Sequence, residues 1–110
     1  MFPAGATEPT TIHSRNGDGD TPLHIAALRG DRHAINCLLD AGAKVDAKGD
    51  MSNTPLYYAV MGNHLLAAES LLERGADPDA LSELNFTPRS LAEHHGVKEM
   101  IQLFKGRVRA

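Results

Sequence analysis

Thr21-Pro22-Leu23-His24-Ile25-Ala26-Ala27 is the stretch on which the reading of this chain turns. Threonine caps a helix by accepting a backbone N–H, and proline suits the first helical turn, where its missing donor is not needed. Thr-Pro returns at Thr54-Pro55 and again at Thr87-Pro88, 33 residues on each time. Laid in register, Leu23 falls on Leu56, Ala26 on Ala59 and Ala92, and Ala34 on Ala67. Leu38-Leu39 falls on Leu71-Leu72, Gly42-Ala43 on Gly75-Ala76, and Asp46-Ala47 on Asp79-Ala80. A fixed period of this length marks a stacked repeat architecture, in which neighbouring units bury each other's apolar faces.

Each unit predicts two short helices. The first runs over 22–29, 55–62 and 88–95, the second over 32–40, 65–73 and 98–105. Gly30 and Gly96 stand where a left-handed residue ends the first helix, and Asn63 takes that place in the middle unit. Ile35, Leu38 and Leu39 have helical spacing, and Gly42 and Gly75 end the second helix. Segments 43–53 and 76–86 are then extended β-turn fingers. Residues 12–20 align with the finger of a preceding unit whose helices are missing, and 1–11 read as a flexible tail. Lys98, Glu99, Gln102 and Lys105 interrupt the last apolar run, as a solvent-facing closing helix requires. Asp31, Arg32, His33 and Asn36 do the same in the first unit.

Thr21 to Ala27 resembles the signature heptad of the ankyrin-repeat family, and Leu38 to Ala47 resembles that family's second-helix ending and loop entry. The resemblance runs from about Ile12 to Phe104. It implies an all-α ankyrin-repeat solenoid of about three stacked helix-turn-helix units with β-turn fingers. Its divisions are a partial finger at 12–20, repeats at 21–53 and 54–86, and a capping repeat at 87–110, together a single domain over 12–110. Tyr57 takes the heptad histidine's place in the second unit, so the usual bonding there is altered.

Composition narrows the function. The chain has 110 residues, a formal net charge of −3, no Trp and a single cysteine, Cys37. No intramolecular disulfide can form, and bulk charge implies neither a strongly basic nor a strongly acidic partner. The amino terminus does not read as a secretory signal, and no apolar run reaches the length of a membrane span. A cytoplasmic protein that binds no membrane is the expectation.

Motifs for chemistry are weak. His24 is expected to bond neighbouring threonine and backbone groups, which is its role in the family. His33 and Cys37 are four residues apart on one helix, but Cys37 is expected to point inward and no further ligands lie near in sequence. His94 and His95 diverge by roughly 100° on a helix, and His13 and His64 are expected to face solvent. Asn16-Gly17-Asp18-Gly19-Asp20 lacks the Gly and Glu that a calcium loop needs at its sixth and twelfth positions, and reads as a tight turn. Lys98, Lys105, Arg107 and Arg109 fall short of the roughly six to ten phosphate contacts of a nucleic-acid binder. No nucleophile motif is present. The expectation is no enzyme, metal or cofactor.

The resemblance implies instead a partner protein held on the concave face, made by the fingers and the exposed side of each first helix. By register the finger positions are Arg15, Asp18 and Asp20, then Lys48, Asp50, Met51 and Asn53, then Leu81, Glu83, Leu84 and Phe86. The helix positions are Leu28 and Arg29, then Met61, then His94 and His95, with Tyr57 showing its ring on the same side. Met51, Met61, Leu81, Leu84 and Phe86 are apolar where a solubility-driven sequence would place polar groups, amid mixed charge. The functions to weigh are a dedicated inhibitor or regulator of one protein, monomeric when unbound, and a scaffold or fragment of a longer stack.

Overall fold

Each Thr-Pro pair opens a helix in the computed structural model, which describes residues 10–105. In chain order the helices are α1 (Thr10–His13), α2 (Pro22–Arg29), α3 (Arg32–Asp40), α4 (Pro55–Met61), α5 (Leu65–Glu73), α6 (Pro88–His95) and α7 (Lys98–Lys105). No strand occurs among the described residues. Most of the expected tail, and Arg107 and Arg109, lie outside them.

The helix starts follow from local chemistry. Thr21, Thr54 and Thr87 are extended and accept the backbone N–H of His24, Tyr57 and Ser90 respectively, with proline directly after. In α2 and α6 the bond is reciprocal, because the His24 and Ser90 side chains return to the capping threonine's own N–H. Asp31 caps α3 by accepting the Ala34 N–H at 3.0 Å. Gly30 ends α2 at φ 71° and Asn63 follows α4 at φ 56°, both left-handed as expected.

Gly96 corrects the sequence reading. It is extended, at φ −77° and ψ 157°. A Cβ there would come within 2.6 Å of the Ala92 carbonyl oxygen, so the residue is glycine for closeness of approach and not for handedness. Ile12 and His13 also differ from expectation. They complete the helical turn α1, which packs on α2, and the first finger begins only after them.

Packing runs in one dimension. α2 lies against α3 and α4, α4 against α5 and α6, α3 against α5, and α7 against α5 and α6. Leu23, Ile35, Leu56, Leu71, Met100 and Phe104 are the large side chains fully removed from water along this stack, with Ala27, Ala59, Ala68 and Ala92 between them. Alanine at these places lets helices approach closely, and leucine fills the layers between. The last unit closes the row differently. Arg89 stands where Leu23 and Leu56 stand in the earlier units. Its guanidinium forks onto Asp79 at 2.9 and 3.3 Å and donates to the Phe104 carbonyl at 3.0 Å. The hydrogen bond to Asp79 holds the Arg89 pKa above its ordinary value, so a fixed charge satisfies the end of α7.

Candidate protein-binding face

The three fingers share one backbone design. The N–H of Asn16, Gly49 and Ser82 donates to the carbonyl of Asp20, Asn53 and Phe86 at 2.9, 2.8 and 2.9 Å. The N–H of Gly19, Ser52 and Asn85 donates back to the carbonyl of Asn16, Gly49 and Ser82. Gly19, Ser52 and Asn85 all have positive φ, as a tight turn followed by a left-handed residue requires.

The side chain at the start of each finger then decides its stability. Asn16 Oδ1 accepts the N–H of Asp18 and Asp20 at 2.9 and 3.0 Å. Ser82 Oγ accepts the N–H of Leu84 and Phe86 at 3.3 and 3.2 Å. Gly49, at the same register, has no side chain to do this. The first finger bonds the second at a neighbouring position, where Asp20 Oδ1 accepts the Asp50 N–H at 2.9 Å. A Cβ on Gly49 would collide with that Asp20 oxygen and lie 2.8 Å from His24 Nε2. Met51 has φ 57°, unlike its equivalents Asp18 and Leu84, and its carbonyl accepts the Glu83 N–H at 2.9 Å.

Asp20 is therefore not a surface residue, contrary to the sequence reading. It is 7% exposed, and the Tyr58 hydroxyl donates to both its oxygens at 2.9 and 3.0 Å. Burial first, and then the bond to Asp20, push the Tyr58 phenol well above its ordinary pKa, so it stays a donor. Nothing in the sequence singles out Tyr58. The Tyr58 and His24 rings meet in a T-shaped contact with centroids 5.4 Å apart.

His24 has the structural role expected of it. Its Nδ1 accepts the Thr21 N–H at 3.1 Å, which leaves the ring proton on Nε2 to donate to the Asn53 carbonyl at 2.8 Å. Burial pulls its pKa below 6.5. The unfolded chain then takes up a proton that the folded chain resists, so stability is full above about pH 6.5 and falls as pH drops through that value toward the folded one. The expected result is a melting temperature that declines on acidification below about pH 6.5, with a flatter profile in His24→Gln. Thermal melts of both proteins across that range check it.

The remaining positions divide clearly. Arg15, Asp18, Leu28, Arg29, Lys48, Asp50, Met51, Met61, Leu81, Glu83, Leu84, Phe86, His94 and His95 are exposed. Met61 is 52%, Leu84 61% and Phe86 44% exposed. Asn53 and Tyr57 are half-buried. Asn53 gives its backbone to Asp50, Gly49 and His24, and Tyr57 packs on the core. Arg15 and Lys48 are also partly committed. Arg15 Nη1 donates to the Lys48 carbonyl at 2.6 Å, and Lys48 Nζ to the Leu81 carbonyl at 2.9 Å. These residues occupy one register position in successive fingers, so each cation ties its finger to the next.

Two other expectations are corrected. Cys37 is exposed on α3, with His33 Nε2 3.6 Å from its sulfur, instead of pointing inward. No group of three or more metal-ligating side chains gathers among the described residues. His64 does not stand alone in solvent. Its Nε2 lies 2.9 Å from the Leu28 carbonyl, at the C-terminal end of α2. It fills the space left by Gly30 and Gly62, where a Cβ would meet its ring.

A one-dimensional stack of helix pairs, with fingers bonded to one another and a row of exposed side chains on them, defines a repeat solenoid that presents side chains on a rigid frame. The chain belongs to the ankyrin-repeat family, whose model matches residues 5–82 as three copies. Ankyrin repeats are generally non-catalytic modules that mediate protein–protein interaction. The chain is also 47% identical over 46 residues to the serine/threonine-protein kinase VIK of Arabidopsis thaliana, covering 42% of this chain and 10% of that protein. The chain thus spans only a small part of that relative's length. No described helix is long and apolar enough to cross a membrane.

Proposed function

We propose that the protein works by holding one partner protein on its fingers and the exposed ends of its first helices, as a dedicated inhibitor or regulator. One observation carries this reading. Met51, Leu81, Leu84 and Phe86 on the fingers and Leu28 and Met61 on the helices are large apolar side chains left in water at positions that the stack does not need for packing. Exposed apolar groups of this kind on a rigid scaffold are anchors for another surface. The reading includes no nucleic acid, membrane or cofactor, a cytoplasmic location, and a monomer when unbound.

A second reading is a module within a larger assembly or a longer stack. It is supported by the similarity to a segment that makes up only 10% of a much longer protein. Affinity purification from the source cells with mass spectrometry distinguishes the two. One stoichiometric partner supports the regulator, and co-purification of a multi-protein complex supports the module.

The docking site has its own test. Met61→Asp and Leu84→Asp place a charge in the face without touching the core, so both are expected to fold and to lose most partner recovery in a pull-down. Folded variants that recover the partner at the wild-type level would remove the site.

A further inference from the structure

Resting on that docking face, we propose that the surface it accepts is a basic one, a partner segment with lysine or arginine beside apolar anchors. The second and third fingers are bonded to each other, the Glu83 N–H donating to the Met51 carbonyl and Lys48 Nζ to the Leu81 carbonyl. Met51, Leu81 and Leu84 are exposed on those two fingers.

Charge then selects the occupant. Each finger carries an exposed carboxylate at or next to its tip, Asp18 on the first, Asp50 on the second and Glu83 on the third. None of the three pairs with a cation among the described residues, where the ion pairs are Arg74–Asp40 and Arg89–Asp79. Among the described residues the Glu83 carboxylate accepts the Ser52 hydroxyl, at 3.4 Å. The cations of the same fingers are spent differently. Arg15 donates to the Gly19 and Lys48 carbonyls and Lys48 to the Leu81 carbonyl, so their donors are turned along the fingers. Arg29 lies apart from the fingers, at the end of α2. Three acids in a row beside an apolar strip favour a cationic surface and repel an acidic one. Arg15 and Lys48 keep their charge but turn donors onto backbone carbonyls, whereas the three exposed carboxylates have no cationic partner among the described residues.

The test uses the full chain, immobilised, against a phage-displayed library of random 12-residue peptides. Enriched peptides are expected to carry Lys or Arg next to Leu, Met or Phe. Their affinity is expected to fall about tenfold or more in the double variant Asp50→Lys/Glu83→Lys, and to fall with added salt, as electrostatic complementarity requires. Glu73→Lys on α5, away from the fingers, serves as the matched control and is expected to change little. Enriched peptides that are neutral or acidic, peptides indifferent to the finger reversal, or no enrichment at all would overturn the proposal. Peptides that lose binding to Met61→Asp but not to the charge reversal would leave the docking face standing and remove only its preference for a basic partner. Indifference to both variants would remove the face as well. Circular dichroism of each variant confirms that the exposed substitutions leave the helices intact.

Discussion

Leu56→Ala is expected to destabilise the protein by about 3–5 kcal/mol, the range for emptying a leucine-sized site that cannot collapse. Leu56 is fully buried in the first turn of α4. That helix packs against α2 on one side, α6 on the other, and α5 behind. The loss therefore falls on the contacts that join neighbouring units, and in a linear stack those contacts supply most of the stability. A domain of this size has about 5–15 kcal/mol in total, so the change removes a large share of it. Urea denaturation followed by circular dichroism reads the effect as a fall in midpoint. Leu66→Ala is the matched control, because Leu66 is exposed on α5 and its truncation is expected to stay within about 0.5 kcal/mol. Equal midpoints for the two variants would contradict the assignment of Leu56 to the inter-unit core.

The second large effect is expected at Asp20. Asp20→Ala removes the acceptor of the Tyr58 hydroxyl and of the Asp50 N–H together. A buried donor left without a partner costs about 1–3 kcal/mol, so a loss of about 2–4 kcal/mol is expected. Adding Tyr58→Phe deletes one of the stranded donors. The double variant is therefore expected to be less destabilised than the sum of the two single variants, by about 1 kcal/mol or more. Strict additivity in the cycle would mean that the two side chains do not act as a unit. Binding gives a second readout, because the Asp20 side chain holds the second finger's backbone in place. Asp20→Ala is expected to weaken partner capture through finger geometry even though Asp20 is too buried to touch a partner.

Several features were legible in the sequence because they depend on neighbours along the chain. The helix starts at Pro22, Pro55 and Pro88 follow from threonine and proline side by side, and the ends near Gly30 and Asn63 follow from residues that tolerate a left-handed turn. The 33-residue register pointed to most of the packed and displayed positions, though not to Asp20 or Cys37. Exposure of Met61, Leu81 and Leu84 was accordingly foreseen.

Other features required chain segments that lie far apart. Tyr58 carries no signal of its role until its hydroxyl is seen against Asp20, 38 residues earlier. His64 reads as an isolated histidine until the Leu28 carbonyl is placed beside it. Cys37 was placed inward by register alone, but it is exposed on α3, beside His33.

The sequence by itself determined the repeat, the starts and ends of its helix pairs and most displayed positions, because period, capping and backbone tolerance are local or strictly recurring properties. Only the tertiary structure decided which displayed residues remain available. Asp20 reaches under the second finger because Gly49 has no Cβ to block its carboxylate. Arg15 and Lys48 are drawn onto neighbouring carbonyls because successive fingers lie within one side chain's reach.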